Sequence, residues 1–185
     1  MNMITQRNIL AAALMMAVVA CQNNGGSWSK AEKELICSEG ETMRVLTVYN
    51  KTDSLVLRKA CAEISAEDLR SHEYKMLADK MVATVTSPEE DGVGIAGPQV
   101  GISRRVVAVQ RFDKDGEPFE VYPNIQITDR RGGKELGPEG CLSIPGKRGE
   151  VARYRDIDIT YTSAKTLRDT TENIKGFTAV IFQHE

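Results

Sequence analysis

"EGCLSIPG", Glu139 to Gly146, is the stretch on which the reading of this chain turns. It places Cys141 between a glycine-rich loop, "RGGKELGPEG", and a predicted strand, where a side chain can be presented to a ligand. A thiolate so presented suits a metal ion. The plainer reading is a small buried cysteine. Taken alone, the stretch leaves both open.

Two further stretches bear on the choice. "GVGIAGPQVG", Gly92 to Gly101, contains a G-x-G-x-x-G spacing at Gly92, Gly94 and Gly97. A dinucleotide loop needs a strand before it and a helix after it. Here a predicted helix precedes the run and "PQVG" is a poor helix start, so the run reads as a turn that carries Gln99. "QHE", Gln183 to Glu185, is how the HExxH metal motif begins. Ile174, Phe177, Val180 and Ile181 recur at helical spacing and His184 continues them, so His184 is predicted to point inward. Glu185 is then turned ~100° away around the helix. A lone histidine on an apolar face is more often a satisfied core residue than a ligand.

In this order the three stretches resemble the peptide deformylase family in its bacterial form. The resemblance runs from about Val45 to the C-terminus. The sequence departs from the family pattern at Gly97, where alanine is usual, and looser packing or a small backbone shift is expected there. The resemblance implies an α+β fold, with antiparallel β-sheets packed around a C-terminal helix that carries the HE of HExxH, and a longer helix nearer the N-terminus. It implies hydrolysis of the formyl amide of N-formylmethionyl peptides at one divalent metal ion, Fe(2+) first and Zn(2+) second.

By the same resemblance Cys141 and His184 are metal ligands. Glu185 takes a proton from the attacking water and returns it to the leaving amine. The Gln99 side-chain amide and the Leu142 backbone N–H stabilise the oxyanion. The Val93–Gly94 backbone pairs with an extended substrate. Val93, Leu142 and Val180 are candidates for the pocket around the methionine side chain, or are ordinary core residues. Arg148 and Arg153 match basic positions of the family, and Arg153 is expected to brace Glu139. The family's third ligand is a second histidine three residues beyond the glutamate. The chain as given is therefore expected to hold metal weakly and to show little activity, and it reads as a piece of a longer product. The rival reading is a degenerate, non-catalytic lipoprotein of the same fold that binds peptides.

Around these stretches, "ISAEDLRSHEYKMLADKMVATV" predicts one long amphipathic helix over residues 65–86, with Ser65 and Asp68 at its start. "RRVVAVQRF", "FEVYPNIQIT" and "RDIDITYTS" predict strands within about residues 104–162. The 185 residues suggest one domain, expected to act as a monomer. The charges nearly balance, 24 basic against 26 acidic, which argues against a nucleic-acid partner.

The first 20 residues have the layout of an export signal: Arg7, then an apolar run from Ile9 to Ala20. "VVAC" resembles a bacterial lipobox, which makes Cys21 the lipidated residue and residues 21–44 a polar tether to the domain at 45–185. The protein is then exported and anchored to a membrane through Cys21, or cytoplasmic if the signal is not used. Cys37 and Cys61 are left either as a disulfide or as two small buried side chains.

Overall fold

The computed structural model describes residues 27–185. The expected signal over residues 1–20 and the lipidation candidate Cys21 lie outside the described residues.

The described chain opens with Trp28 buried at 4% exposure and the helix α1 (Lys30–Ile36). Ser29 caps α1 in a reciprocal box with Glu32. From Trp28 to Met43 the segment expected as a tether is instead part of the fold. Trp28, Ile36 and Met43 all belong to the core, because the segment carries large apolar side chains that a tether has no use for. A second short helix, α2 (Lys51–Leu57), is capped by Asn50.

The helix expected over residues 65–86 is divided into α3 (Ala66–Leu69) and α4 (His72–Val85). Ser65 does cap the start, accepting the Asp68 N–H at 3.0 Å. The break comes at Ser71, whose hydroxyl donates to the Asp68 carbonyl at 2.6 Å and accepts the Tyr74 N–H at 3.1 Å. Trp28 docks on this joint: its backbone N–H donates to Asp68 and its indole N–H to Ser71. A local side-chain cap thus displaces the helical bond, as serine side chains tend to do. Tyr74, Leu77, Met81 and Val85 form the buried stripe of α4.

Six strands make two antiparallel sheets. The first has the order β1 (Gly94–Ala96), β2 (Val106–Gln110), β3 (Phe119–Pro123). Alternate residues of β2 serve two cores. Val106 and Ala108 face the cluster built with α1 and α4, whereas Val107 and Val109 face the other side. The second sheet has the order β4 (Gln126–Gly140), β5 (Arg148–Thr162), β6 (Asp169–Lys175). The helix α5 (Gly176–His184) packs Ala179, Ile181 and Phe182 against Val107 and Val109 of one sheet and Ile157, Ile159 and Ile174 of the other. The fold is α+β with the sheets packed around the C-terminal helix, as expected.

Two sequence readings change here. "RGGKELGPEG" is not a loop but the outer part of β4, paired with β5 from Lys134–Tyr154 to Gly140–Arg148. Its Gly132, at φ 75°, falls in a register shift between Arg131 and Lys134, and β4 is an edge strand, so Pro138 breaks no ladder. Ile174 is not on the terminal helix but in β6, opposite Ile157. Alternation in "DTTENIK" is too polar to announce a strand whose outer face meets water. Cys37 and Cys61 are free thiols, and Cys37 is exposed, so neither of the two readings for the pair holds in full.

Candidate active site

A cleft of about 500 Å³ runs between β1, the turn after β4 and α5. Each of these elements contributes for a local reason. β1 is an edge strand, so one side of its backbone is left unpaired by the sheet. Pro98 opens the 3₁₀ turn Gly97–Val100, and Gly101, at φ 83°, ends it. This turn carries Gln99 to the cleft wall. The Ile144 N–H closes a turn onto the Cys141 carbonyl at 2.9 Å, which presents Cys141 and Leu142 at the end of β4. On α5, Phe177, Val180, Ile181 and His184 share the cleft-facing side.

Nine residues anticipated from the sequence line this one cleft: Cys141, His184, Glu185, Gln99, Leu142, Val93, Gly94, Val180 and Arg148. The residues come from four separate regions of the chain, and only the folding of α5 between the sheets brings them together. Phe177 is half exposed and packs against Phe112 in a tilted ring pair, at 5.3 Å between centroids and 52° between planes.

The polar core of the cleft is a chain of contacts. His184 Nδ1 lies 2.7 Å from Glu139 Oε2. Arg153 grips the same carboxylate with Nε at 2.8 Å and Nη2 at 2.9 Å, and donates its Nη1 to the Gln183 carbonyl at 2.9 Å. The expected Arg153–Glu139 brace is present. The contact from Glu139 to His184 was not anticipated, and nothing in the spacing of two residues so far apart announces it. Arg153 first, then His184, hold the Glu139 carboxyl down at about 2. His184 also hydrogen-bonds Cys141, which lowers the thiol against the opposing effect of burial. The same contact raises His184, with Glu139 adding to it. Glu185 is pushed up to about 7 because its carboxylate is desolvated, His184 opposing only in part.

Glycines allow the walls to approach. A Cβ at Gly94 would stand 2.6 Å from Glu185 Oε1 and 2.8 Å from Ile181 Cγ2. At Gly97 a Cβ would stand 2.8 Å from the Ile102 carbonyl and 2.9 Å from that of Arg104. The backbone at Gly97 thus leaves no room for the methyl of an alanine.

Thiolate and imidazole are ligands that zinc and ferrous iron both accept, and the carboxylate on the far imidazole nitrogen is the usual partner of a ligating histidine. Cys141 and His184 therefore fit as two members of a ligand set. Among the described residues no group of three or more His, Cys, Asp or Glu side chains is arranged to hold an ion.

The polypeptide deformylase family model matches residues 43–185. The chain belongs to this family. Its relatives include a peptide deformylase of Halothermothrix orenii, 39% identical over 147 residues, which cover 77% of this chain and 86% of the relative. Another, of Leptospira biflexa, is 30% identical over 142 residues, covering 73% of this chain and 78% of the relative. Among solved structures, the actinonin-bound class I type b peptide deformylase of Acinetobacter baumannii is similar with a TM-score of 0.67 and 35% identity, covering 78% of this chain and 89% of that one. The peptide deformylase of Thermotoga maritima aligns with a TM-score of 0.66 at 28% identity, over 78% and 88% of the two chains. As a deformylase the chain is a metal-dependent hydrolase of the kind that acts on formylmethionyl peptides.

Proposed function

We propose that the cleft hydrolyses the formyl amide of an N-formylmethionyl peptide, with Cys141 and His184 as metal ligands. The observation that carries this is the meeting of Cys141, His184, Glu185 and Gln99 on one cleft. A bound divalent ion, Fe(2+) or Zn(2+), supplies Lewis acidity for water and for the formyl carbonyl.

The protein's own groups do the rest. Glu139, held by Arg153, fixes the tautomer and orientation of His184. Glu185, with a carboxyl near 7, takes a proton from the attacking water and gives it to the leaving amine, a task that favours a pKa near neutrality. The Gln99 amide and the Leu142 N–H receive the negative oxygen. The free side of β1 at Val93–Gly94 accepts the peptide backbone as an added strand. Val93, Leu142 and Val180 surround the methionine side chain, and Arg148 stands at the wall where the peptide continues. The cramped approach of Gly94 to Glu185 favours formyl over acetyl.

Cys141 and His184 alone would hold an ion weakly, and a third donor is expected to strengthen its binding. The reading also includes an exported, monomeric protein anchored through Cys21, in which case its substrates are free or secreted formyl peptides. No described helix is long and apolar enough to cross a membrane. The rival reading is a peptide-binding module of the same fold without catalysis. Assay of the metal-loaded protein on formyl-Met and acetyl-Met peptides separates them. Turnover of the formyl peptide alone is expected. Metal-bound protein that binds both peptides and cleaves neither would overturn the hydrolase.

A further inference from the structure

Gln99 and Leu142 stand on different elements, yet an oxyanion pocket needs them at a fixed spacing. Residues 46–48, on the way from the core to α2, join the two. The Leu46 N–H donates to the Gln99 carbonyl at 2.7 Å, and the Val48 N–H donates to the Ser143 carbonyl at 3.0 Å. Between them, the Thr47 N–H donates to Asp53 Oδ2 at 3.2 Å. Asp53 is 3% exposed, and its two oxygens each take a guanidinium N–H of Arg44 at 2.8 Å. A buried carboxylate gripped in this bidentate way has little freedom to move.

Ser143 is the second part of the arrangement. Its carbonyl is held by Val48, and its hydroxyl accepts the Gln99 Nε2 at 3.3 Å. The opposite end of the amide, Gln99 Oε1, accepts the Ala96 N–H at 2.8 Å. Only an oxygen can take that backbone donor, so the NH2 group has to face Ser143 and the cleft. One of its two protons serves Ser143, which leaves the other for a ligand.

We propose that residues 46–48, locked by Asp53, brace the spacing of Gln99 and Leu142, and that Ser143 is the positioning residue that aims the Gln99 amide. The proposal rests on the oxyanion role given to Gln99 and Leu142. Kinetics of the metal-loaded enzyme test the second half. Ser143→Ala is expected to lower kcat by about tenfold or more while KM stays within about twofold. Placed in a Gln99→Ala background, the same change is expected to have almost no further effect, because its target is gone. An undiminished loss in that background would mean a merely structural role.

Amide hydrogen exchange tests the first half without metal or substrate. Asp53→Ala is expected to speed exchange about tenfold at Leu46 and Val48 and in the 141–144 turn, with Ile157 and Ile159 unchanged. Opening of residues 46–48 alone, with the turn still protected, would overturn the brace. If the parent enzyme cleaves no formyl peptide, the oxyanion reading fails, and the exchange result still decides the brace.

Discussion

Glu139 is pulled on by Arg153 and His184 at once, and its carboxyl sits far below the ordinary range as a result. Glu139→Gln keeps the shape and removes the charge. It is expected to weaken metal binding by about 10–100-fold, read by competition with a chelator. Gly94→Ala tests the other wall. A methyl there collides with Glu185 and Ile181, so activity is expected to fall by about a hundredfold or more, since small misplacements at a reacting centre have large effects. Circular dichroism of the variant separates a displaced Glu185 from a lost fold. The identities of Cys141, His184, Glu185 and Gln99 were readable from three short motifs. Their partners were not: Ser143 and Asp53 act through contacts 44 and 6 residues away in sequence, from Gln99 and Thr47, which no local pattern encodes.

Elements differ in how much of them local sequence dictates. The stripe of α4 and the strand β2 follow from spacing, and Leu77→Ala is expected to cost about 2–5 kcal/mol in urea denaturation. The division of α3 from α4 and the length of β4 do not follow from spacing. The first depends on Trp28 docking at Ser71, the second on β5 supplying a partner for a glycine-rich, polar run. The dock of α1 also brings an acid dependence. Burial alone would raise the Glu32 carboxyl, but hydrogen bonds from Arg104 and Ser29 outweigh it and bring it from 4.5 to about 2. A carboxyl lowered on folding stabilises the protein fully above its unfolded value and loses that contribution as the pH falls through its folded value. Between pH 4.5 and 2 the parent is therefore expected to lose stability more steeply than Glu32→Gln, as followed by acid titration of circular dichroism.

On the scale of the whole molecule, the segment that precedes the family match is part of the fold. Trp28 lies at residue 28, outside the matched 43–185, yet is buried among α1, α3 and Arg104. Trp28→Ala is expected to cost about 3–5 kcal/mol in denaturant unfolding, while the same change in a tether would cost nothing measurable. The sequence by itself determined the family, the fold class and the strand at β2, because motif identity and a valine-rich apolar run are local properties. Tertiary structure alone decided that residues 28–43 belong to the core, which polar run becomes a strand, and how Glu139 meets His184 and Ser143 and Asp53 support the site. Those depend on which distant segments meet, and burial and hydrogen bonding between them are set only when α5 is enclosed by both sheets.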